Sequence, residues 1–131
     1  IGTDDGPLDV IENGAIHPVP IYTSLHGYGI RDVLIDNKSN LWLASYSGVL
    51  KKAGKAERLF TTSDGLPALD ARRILEDSHG NLWIGTRSGG IAKMKDEKVV
   101  MVYDKKHGMP SNYILSLEED HQGNIYAGTH S

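Results

Sequence analysis

A short aromatic motif recurs along this chain at a nearly constant interval, and this repeat constrains the fold more than any other feature. The motif places a small residue two positions after a large aromatic one, as in Asn-Leu-Trp-Leu-Ala-Ser, Asn-Leu-Trp-Ile-Gly-Thr and Asn-Ile-Tyr-Ala-Gly-Thr. The equivalent small residues are Gly2, Ala44, Gly85 and Gly128, which lie 42, 41 and 43 residues apart. An interval of this length is typical of four-stranded propeller blades.

Each period reads as four short strands. In the most regular repeat they are predicted at residues 73–76, 81–86, 91–94 and 99–103, where β-branched and aromatic residues are frequent. An aspartate begins the first turn and a glycine ends it, which suits a tight turn with one positive φ. Helical periodicity with capping residues is absent. The sequence therefore predicts an all-β fold, a β-propeller fragment of about three four-stranded antiparallel blades.

The repeat boundaries predict how the chain is divided. We expect whole blades at 31–70 and 71–113, between partial blades at 1–30 and 114–131. A closed propeller needs four to eight blades, so we expect the chain to be part of a longer protein whose remaining blades are its partners. Any targeting segment would then lie upstream. Uncovered blade faces also predict self-association, as a dimer that mimics a six-bladed ring.

The repeated positions are interpreted as packing and turn residues. Alternate residues of a strand face opposite neighbours, so Leu82, Ile84 and Thr86 should face one blade, while Trp83 and Gly85 face the other. Replacing Trp83 with alanine should cost about 3–5 kcal/mol if the ring is fully buried. The structural repeat positions are Asp36, Trp42, Asp77, Gly80, Trp83, Gly85, Asp120, Gly123, Tyr126 and Gly128.

The first whole blade departs from the pattern at its turn. Ser39 stands where the later repeats have Gly80 and Gly123, so Ser39 must adopt the left-handed conformation or the turn must change. The run Asp36 to Asn40 faintly resembles a calcium loop but lacks its central glycine and its distal glutamate. No metal site is predicted there.

Composition and motifs argue against several function classes. A net charge of −3 with scattered Lys and Arg argues against nucleic acid or an anionic membrane surface as a partner. The absence of cysteine excludes disulfides and thiol catalysis. Nucleophile-elbow, phosphate-loop and zinc-protease patterns are missing, and the six histidines have no metal-ligand spacing. We therefore predict no catalytic residue, metal or cofactor, and no enzyme activity for this segment.

If a ligand binds, the loops that enter the innermost strands are the expected place, because loops on a rigid scaffold carry recognition. These loops span 26–32, 64–73 and 107–113. They combine aromatic and hydrogen-bonding side chains that suit a sugar or another polar ligand. The alternative is that these are ordinary exposed loop residues. The candidate ligand-binding residues are Tyr28, Arg31, Asp70, Arg72, Asn112 and Tyr113.

Several of these runs resemble the two-component regulator propeller repeat. The resemblance rests on Gly65-Leu66-Pro67, on the run from Ile74 to Thr86, and on Ser88-Gly89-Gly90-Ile91. It is strongest over 59–94, good over 103–131 and partial over 1–55. Proteins of this family carry such blades in the periplasmic half of bacterial membrane sensors, commonly followed by an Ig-like sandwich, a membrane helix and a histidine kinase or another output module.

The resemblance implies a periplasmic ligand-sensing segment of a membrane-bound two-component regulator, for an oligosaccharide or a related polar ligand. Such a ligand must bind two receptor states with different affinity, since otherwise no signal is sent. Two alternatives stay open. The blades could be a scaffold for dimerisation or protein contact, or they could belong to a soluble propeller hydrolase or lyase whose active site lies in other blades.

Overall fold

Antiparallel β-sheet makes up nearly all the regular structure in the computed structural model, which describes residues 8–25 and 29–130. Those residues form twelve strands and no α-helix, with short 3-10 turns at Thr62–Asp64 and Lys105–His107. None of the helices in the described ranges is long and apolar enough to cross a membrane. The strands are β1 (Asp9–Glu12), β2 (Ala15–Pro18), β3 (Ile30–Ile35), β4 (Leu41–Ser45), β5 (Gly48–Ala53), β6 (Ala56–Phe60), β7 (Ala71–Glu76), β8 (Leu82–Thr86), β9 (Ile91–Lys95), β10 (Lys98–Tyr103), β11 (Ile114–Glu119) and β12 (Ile125–Thr129).

Consecutive strands pair into separate small sheets. Strands β3–β6 form one four-stranded sheet, the first whole blade, and β7–β10 form another, the second whole blade. Strands β1 and β2 form the leading hairpin, and β11 and β12 form the trailing hairpin. Every pairing is antiparallel and joins neighbours in sequence. The predicted all-β propeller-blade architecture is confirmed.

The core lies between the two whole blades. Trp42 and Phe60 of the first blade stack with ring centroids 5.5 Å apart, and Trp42 is only 2% exposed. Ile84 and Met94 of the second blade belong to the same buried cluster. This agrees with the alternation expected of β8, whose even-numbered residues Leu82, Ile84 and Thr86 are all buried.

Where two blades pack together, the sizes of the two facing residues are complementary. A Cβ added to Gly85 would lie 2.7 Å from Cγ2 of Ile114, so the second blade and the trailing hairpin leave no room for it. At the joint between the whole blades, the equivalent positions are Ala44 and Ala71, both in the buried core. One joint thus uses glycine with isoleucine, and the other uses two alanines.

The aspartate that begins each turn is bonded to the aromatic residue of the motif. One oxygen of the aspartate, Oδ2, accepts the hydrogen bond from the aromatic side chain. The other oxygen, Oδ1, accepts main-chain N–H groups two and four residues ahead, at distances of 2.9 Å in all three turns. Burial would raise the pKa of the two partly buried aspartates, but the hydrogen bonds outweigh it and hold their pKa below the usual range. Aspartate, turn and ring form one unit. The aromatic pairs are Asp36 with Trp42 Nε1 at 2.8 Å, Asp77 with Trp83 Nε1 at 2.9 Å, and Asp120 with the Tyr126 hydroxyl at 3.1 Å.

Ser39 occupies the left-handed region, with φ of 68°, where Gly80 and Gly123 have φ of 83° and 86°. The turn therefore keeps its shape. Ser39 is strained in this conformation, because its Cβ lies too close to the backbone. The sequence left this outcome open, since a changed turn was the other possibility.

Replacing Ser39 with glycine is therefore expected to raise the free energy of unfolding by about 0.5–1 kcal/mol, because relief of strain exceeds the added entropy of the unfolded chain. Urea unfolding followed by circular dichroism measures the change. The matched control is Gly80→Ser, which should lower stability by a similar amount. A less stable Ser39→Gly chain would contradict the assignment of strain.

Carboxylates at the ends of the innermost strands bind the preceding blade. Glu76 Oε2 accepts the Asn37 main-chain N–H at 3.2 Å, and Glu119 Oε1 accepts the Ser78 N–H at 2.9 Å. Asp32 Oδ2 in turn accepts the Ile74 N–H at 3.0 Å. These contacts were not predicted, although the identity of Glu76 and Glu119 in the aligned repeats is a visible signal.

A further carboxylate secures the segment that follows the leading hairpin. Glu57 of β6 accepts the main-chain N–H of Tyr22 at 2.9 Å and that of Thr23 at 2.7 Å, and pairs with Lys52 at 3.1 Å. Burial opposes ionisation of Glu57, whose side chain is 5% exposed, but these bonds prevail and lower its pKa to about 2. The segment is thus held on the first whole blade by charge-assisted hydrogen bonds.

Candidate functional site

The ring of Tyr113 is surrounded by cationic and aromatic side chains on the face where crossovers enter the innermost strands. The guanidinium carbon of Arg72 lies 5.2 Å from its centroid, and that of Arg87 lies 5.4 Å away. His130 stacks on the same ring at 5.2 Å with an interplanar angle of 18°. We call Arg72, Arg87, Tyr113 and His130 the Tyr113 cluster.

Main-chain hydrogen bonds bring this cluster together. The residue after the second strand of a blade donates its N–H to the residue just before the first strand: His130 N to Tyr113 O and Arg87 N to Asp70 O, each at 2.9 Å. Arg72 lies one residue inside β7. The loop before the first strand and the loop after the second strand therefore meet at the same end of each sheet. The cluster spans the joint between the second blade and the trailing hairpin.

The electrostatics of the cluster are cationic. Within residues 8–25 and 29–130, neither Arg72 nor Arg87 forms an ion pair with a carboxylate. Arg72 Nε is buried and makes no hydrogen bond in that part of the chain. Both guanidinium groups interact instead with the face of Tyr113, a cation–π arrangement. Their remaining N–H donors are the groups that a polar ligand would use.

Two of the predicted site residues meet here. Arg72 and Tyr113 are in contact, as described above, and Asp70 lies beside them, where its carboxylate accepts the Ser88 hydroxyl at 3.0 and 3.1 Å. Asn112 stabilises the loops around it through hydrogen bonds to main-chain groups. Its Oδ1 accepts the Lys105 N–H at 2.8 Å and its main-chain oxygen accepts the Gly90 N–H at 2.9 Å.

Arg31 lies in the first whole blade, with its guanidinium 4.5 Å from the Tyr46 ring centroid. Among the described residues, no hydrogen bond, ion pair or ring contact joins Arg31 to the Tyr113 cluster. Tyr28 lies outside the described residues. The predicted ligand-binding residues therefore lie in different blades, and the structure brings Arg72 and Tyr113 together but not Arg31.

Sequence reasoning did not identify Arg87, His130 and Tyr46. All three occupy the same repeat position, directly after the second strand, at intervals of 41 and 43 residues. The signal was a cationic or aromatic residue at a fixed distance beyond the motif. It was overlooked because only the entering loops were considered, whereas the loop after the second strand reaches the same face.

The chemistry available here is recognition of polar groups. Guanidinium groups donate to hydroxyl or carboxylate oxygens in a fixed geometry. In the described ranges, no group of three or more His, Asp or Glu side chains is placed to hold a metal ion.

Antiparallel four-stranded blades repeating every 41 to 43 residues define the chain as part of a β-propeller. Residues 65–88 and 108–131 each match the family model described as two component regulator propeller. Two segments of the chain thus match the two-component regulator propeller repeat, as the sequence predicted. A comparison with curated proteins finds no match.

Solved structures support the same fold. The chain resembles a structure described as the extracellular domain of a hybrid two component system, BT3049, from B. thetaiotaomicron, with 25% identity and a TM-score of 0.69 over 77% of this chain and 14% of that one. Another B. thetaiotaomicron extracellular domain, of BT4673, matches with 19% identity and a TM-score of 0.71 over 91% and 18%. PorZ, a surface component of the type-IX secretion system of Porphyromonas gingivalis, matches with 18% identity and a TM-score of 0.62 over 78% and 16%. The chain thus spans less than a fifth of each of these proteins, and the last two similarities concern the fold alone.

Proposed function

We propose that this chain is a ligand-sensing segment of the periplasmic propeller of a membrane-bound two-component regulator. Two of its segments match the model of that propeller family, and a 25% identical structure is the extracellular domain of a hybrid two component system. In this proposal the segment is a non-catalytic recognition surface, and catalysis resides in other parts of the regulator.

The ligand of this surface is an oligosaccharide or a related polar molecule, and the observation that carries this proposal is the Tyr113 cluster. Arg72 and Arg87 flank one aromatic ring from the same blade and lack carboxylate partners in the described part of the chain. The hydroxyl or carboxylate oxygens of a sugar could accept guanidinium N–H groups of Arg72 and Arg87, which the Tyr113 ring holds in place.

The position of the cluster explains how binding would become a signal. Arg72 and Arg87 belong to the second whole blade, whereas Tyr113 precedes β11 of the trailing hairpin. A ligand that contacts both sides favours one spacing of the two blades over another. Differential affinity for two arrangements is what a sensor needs in order to shift its population.

Arg72→Ala is expected to weaken binding of such a ligand by about tenfold or more, which corresponds to loss of one charge-assisted contact. The probes are neutral oligosaccharides and oligosaccharides containing uronic acid, added to the 131-residue chain and followed by titration calorimetry. The matched control is Lys98→Ala, which removes one charge from an exposed residue of β10.

Equal affinities of the wild type and Arg72→Ala for a probe that binds would contradict the assignment to this cluster. Tyr113→Leu tests whether the ring positions the two guanidinium groups, because it keeps an apolar side chain but removes the aromatic face on which they lie. If none of the probes binds the wild-type chain, the oligosaccharide proposal fails and the scaffold function is favoured.

A further inference from the structure

The positive charge of the Tyr113 cluster is not required by the folding of a blade. Arg87 occupies the position directly after the second strand, where the other repeats have Tyr46 and His130. The first two strands nevertheless pair in the same way in all three repeats, with one register shift at the same place. Packing within the blade therefore does not explain the arginine at this position.

The loop that leads to Tyr113 adds further charge. Its 3-10 turn contains Lys105, Lys106 and His107, whereas the equivalent turn at Thr62–Asp64 contains no basic residue. The two turns have the same shape, since each ends at a glycine in the left-handed region with φ of 99° or 100°. The lysines are thus a property of this loop and not of the turn.

This turn is fastened beside the cluster. Asn112, the residue before Tyr113, accepts the Lys105 main-chain N–H at 2.8 Å. Lys105 and Lys106 are exposed, and neither forms an ion pair with a carboxylate in residues 8–25 and 29–130. The carboxylate of Asp70 bonds to a serine hydroxyl instead of an arginine. Uncompensated positive charge therefore gathers on the face around Tyr113.

This arrangement is energetically costly without a counter-ion. Arg72 and Arg87 are held within 5.4 Å of the centroid of the same ring, where their like charges repel. Arg72 Nε is also shielded from water and makes no hydrogen bond within the described ranges, which costs free energy. Sugar hydroxyl groups accept hydrogen bonds but leave the repulsion in place. An anionic group does both, since it accepts from the terminal N–H groups and offsets the charge.

We propose that this site selects a ligand with an anionic group, a carboxylate or a sulfate ester, over a neutral one. The inference rests on the proposed function and adds the chemical class of the oligosaccharide, which is acidic. Arg72 and Arg87 donate N–H groups to the anionic oxygens. Lys105 and Lys106 attract the anion from a longer distance.

Probes that differ in charge alone test this selection. Oligogalacturonides and the same oligosaccharides with methyl-esterified carboxylates are titrated into the 131-residue chain and followed by calorimetry. The acid is expected to bind about tenfold or more tightly than the ester, and the difference should shrink as salt screens the charges. Sulfated galactan oligosaccharides, which have no carboxylate, distinguish a sulfate site from a carboxylate site.

Variants of Arg87 locate the selection, because this residue is exposed and its replacement leaves the core intact. Arg87→Gln should weaken binding of the acid about tenfold and leave binding of the ester unchanged. Arg87→Lys keeps the charge but loses the planar donor pair, so it should retain part of the preference. The matched control is Lys95→Gln, which removes one charge from an exposed residue at the end of β9 away from Arg87.

The outcomes separate this inference from the proposed function. Equal affinities for acid and ester would overturn the selection of an anion and leave ligand sensing standing. Failure of every oligosaccharide to bind would overturn the proposed function, and this inference with it. An unchanged preference for the acid in Arg87→Gln, with wild-type circular dichroism, would overturn the assignment to this site.

Discussion

Replacing Trp42 with alanine is expected to lower the free energy of unfolding by about 3–5 kcal/mol. Trp42 is 2% exposed, stacks on Phe60 and donates its indole N–H to Asp36, so its removal leaves a cavity and takes away one of the donors to the Asp36 carboxylate. Urea unfolding followed by circular dichroism measures the loss. All variants should be compared at one protein concentration, because the expected self-association would make apparent stability concentration-dependent.

The repeat itself supplies the matched controls. Trp83 stacks on Tyr103 but is only half-buried, beside a groove that Ile125 and Ala127 also line, and Tyr126 is 60% exposed. The loss should therefore be smaller for Trp83→Ala than for Trp42→Ala, and below about 1 kcal/mol for Tyr126→Ala, as is usual at exposed positions. Trp42→Phe keeps a ring but loses the donor, which should cost about 1–2 kcal/mol. Equal losses at the three positions would show that burial does not determine their contribution.

The second expected result concerns the joint between Gly85 and Ile114. Gly85→Ala is expected to lower the free energy of unfolding by about 1–3 kcal/mol through overpacking. The reason is space alone, because a Cβ would lie 2.7 Å from Ile114 Cγ2 and 3.1 Å from its Cβ, while φ at Gly85 is not positive. Urea unfolding again provides the measurement.

Combining Gly85→Ala with Ile114→Ala tests this explanation. The double variant recreates the pair Ala44 and Ala71 of the other joint, where both residues are buried. Ile114→Ala alone should cost about 2–5 kcal/mol for the cavity that it leaves. The double variant should lose at least about 1 kcal/mol less than the sum of the single losses, as residues in contact are energetically coupled. Additive losses would show that Gly85 and Ile114 are not sterically coupled at this joint.

The strands were predictable because their signals are local. Residues 73–76 and 99–103 were predicted as strands, and the structure has Ala71–Glu76 and Lys98–Tyr103. Alternation of side chains and turns with Asp and Gly act within a few residues, so a single repeat contains them. The 3-10 turn at Thr62–Asp64 was missed although its capping is also local: Thr61 and Asp64 form a capping box.

The contacts between blades were harder to predict, since they join residues about 40 positions apart. Glu76 with Asn37, Glu119 with Ser78 and Glu57 with Tyr22 all depend on how blades stack, which no local pattern encodes. The candidate site was missed in part for the same reason. Arg72 and Tyr113 were both among the predicted residues and are in contact, but Arg87 reaches them through the loop that follows β8.

The contacts of Glu76 and Glu119 have a consequence for how this surface can vary. Each carboxylate holds the neighbouring blade by a main-chain N–H, at Asn37 and at Ser78. Every residue except proline supplies that donor. At Ser78 the side-chain hydroxyl adds a second hydrogen bond, to Glu119 Oε2 at 2.8 Å. The tips of these turns can therefore change their side chains from blade to blade while the spacing of the sheets stays the same. One rim of the propeller can thus diversify over evolution while the joints beneath it keep their main-chain hydrogen bonds.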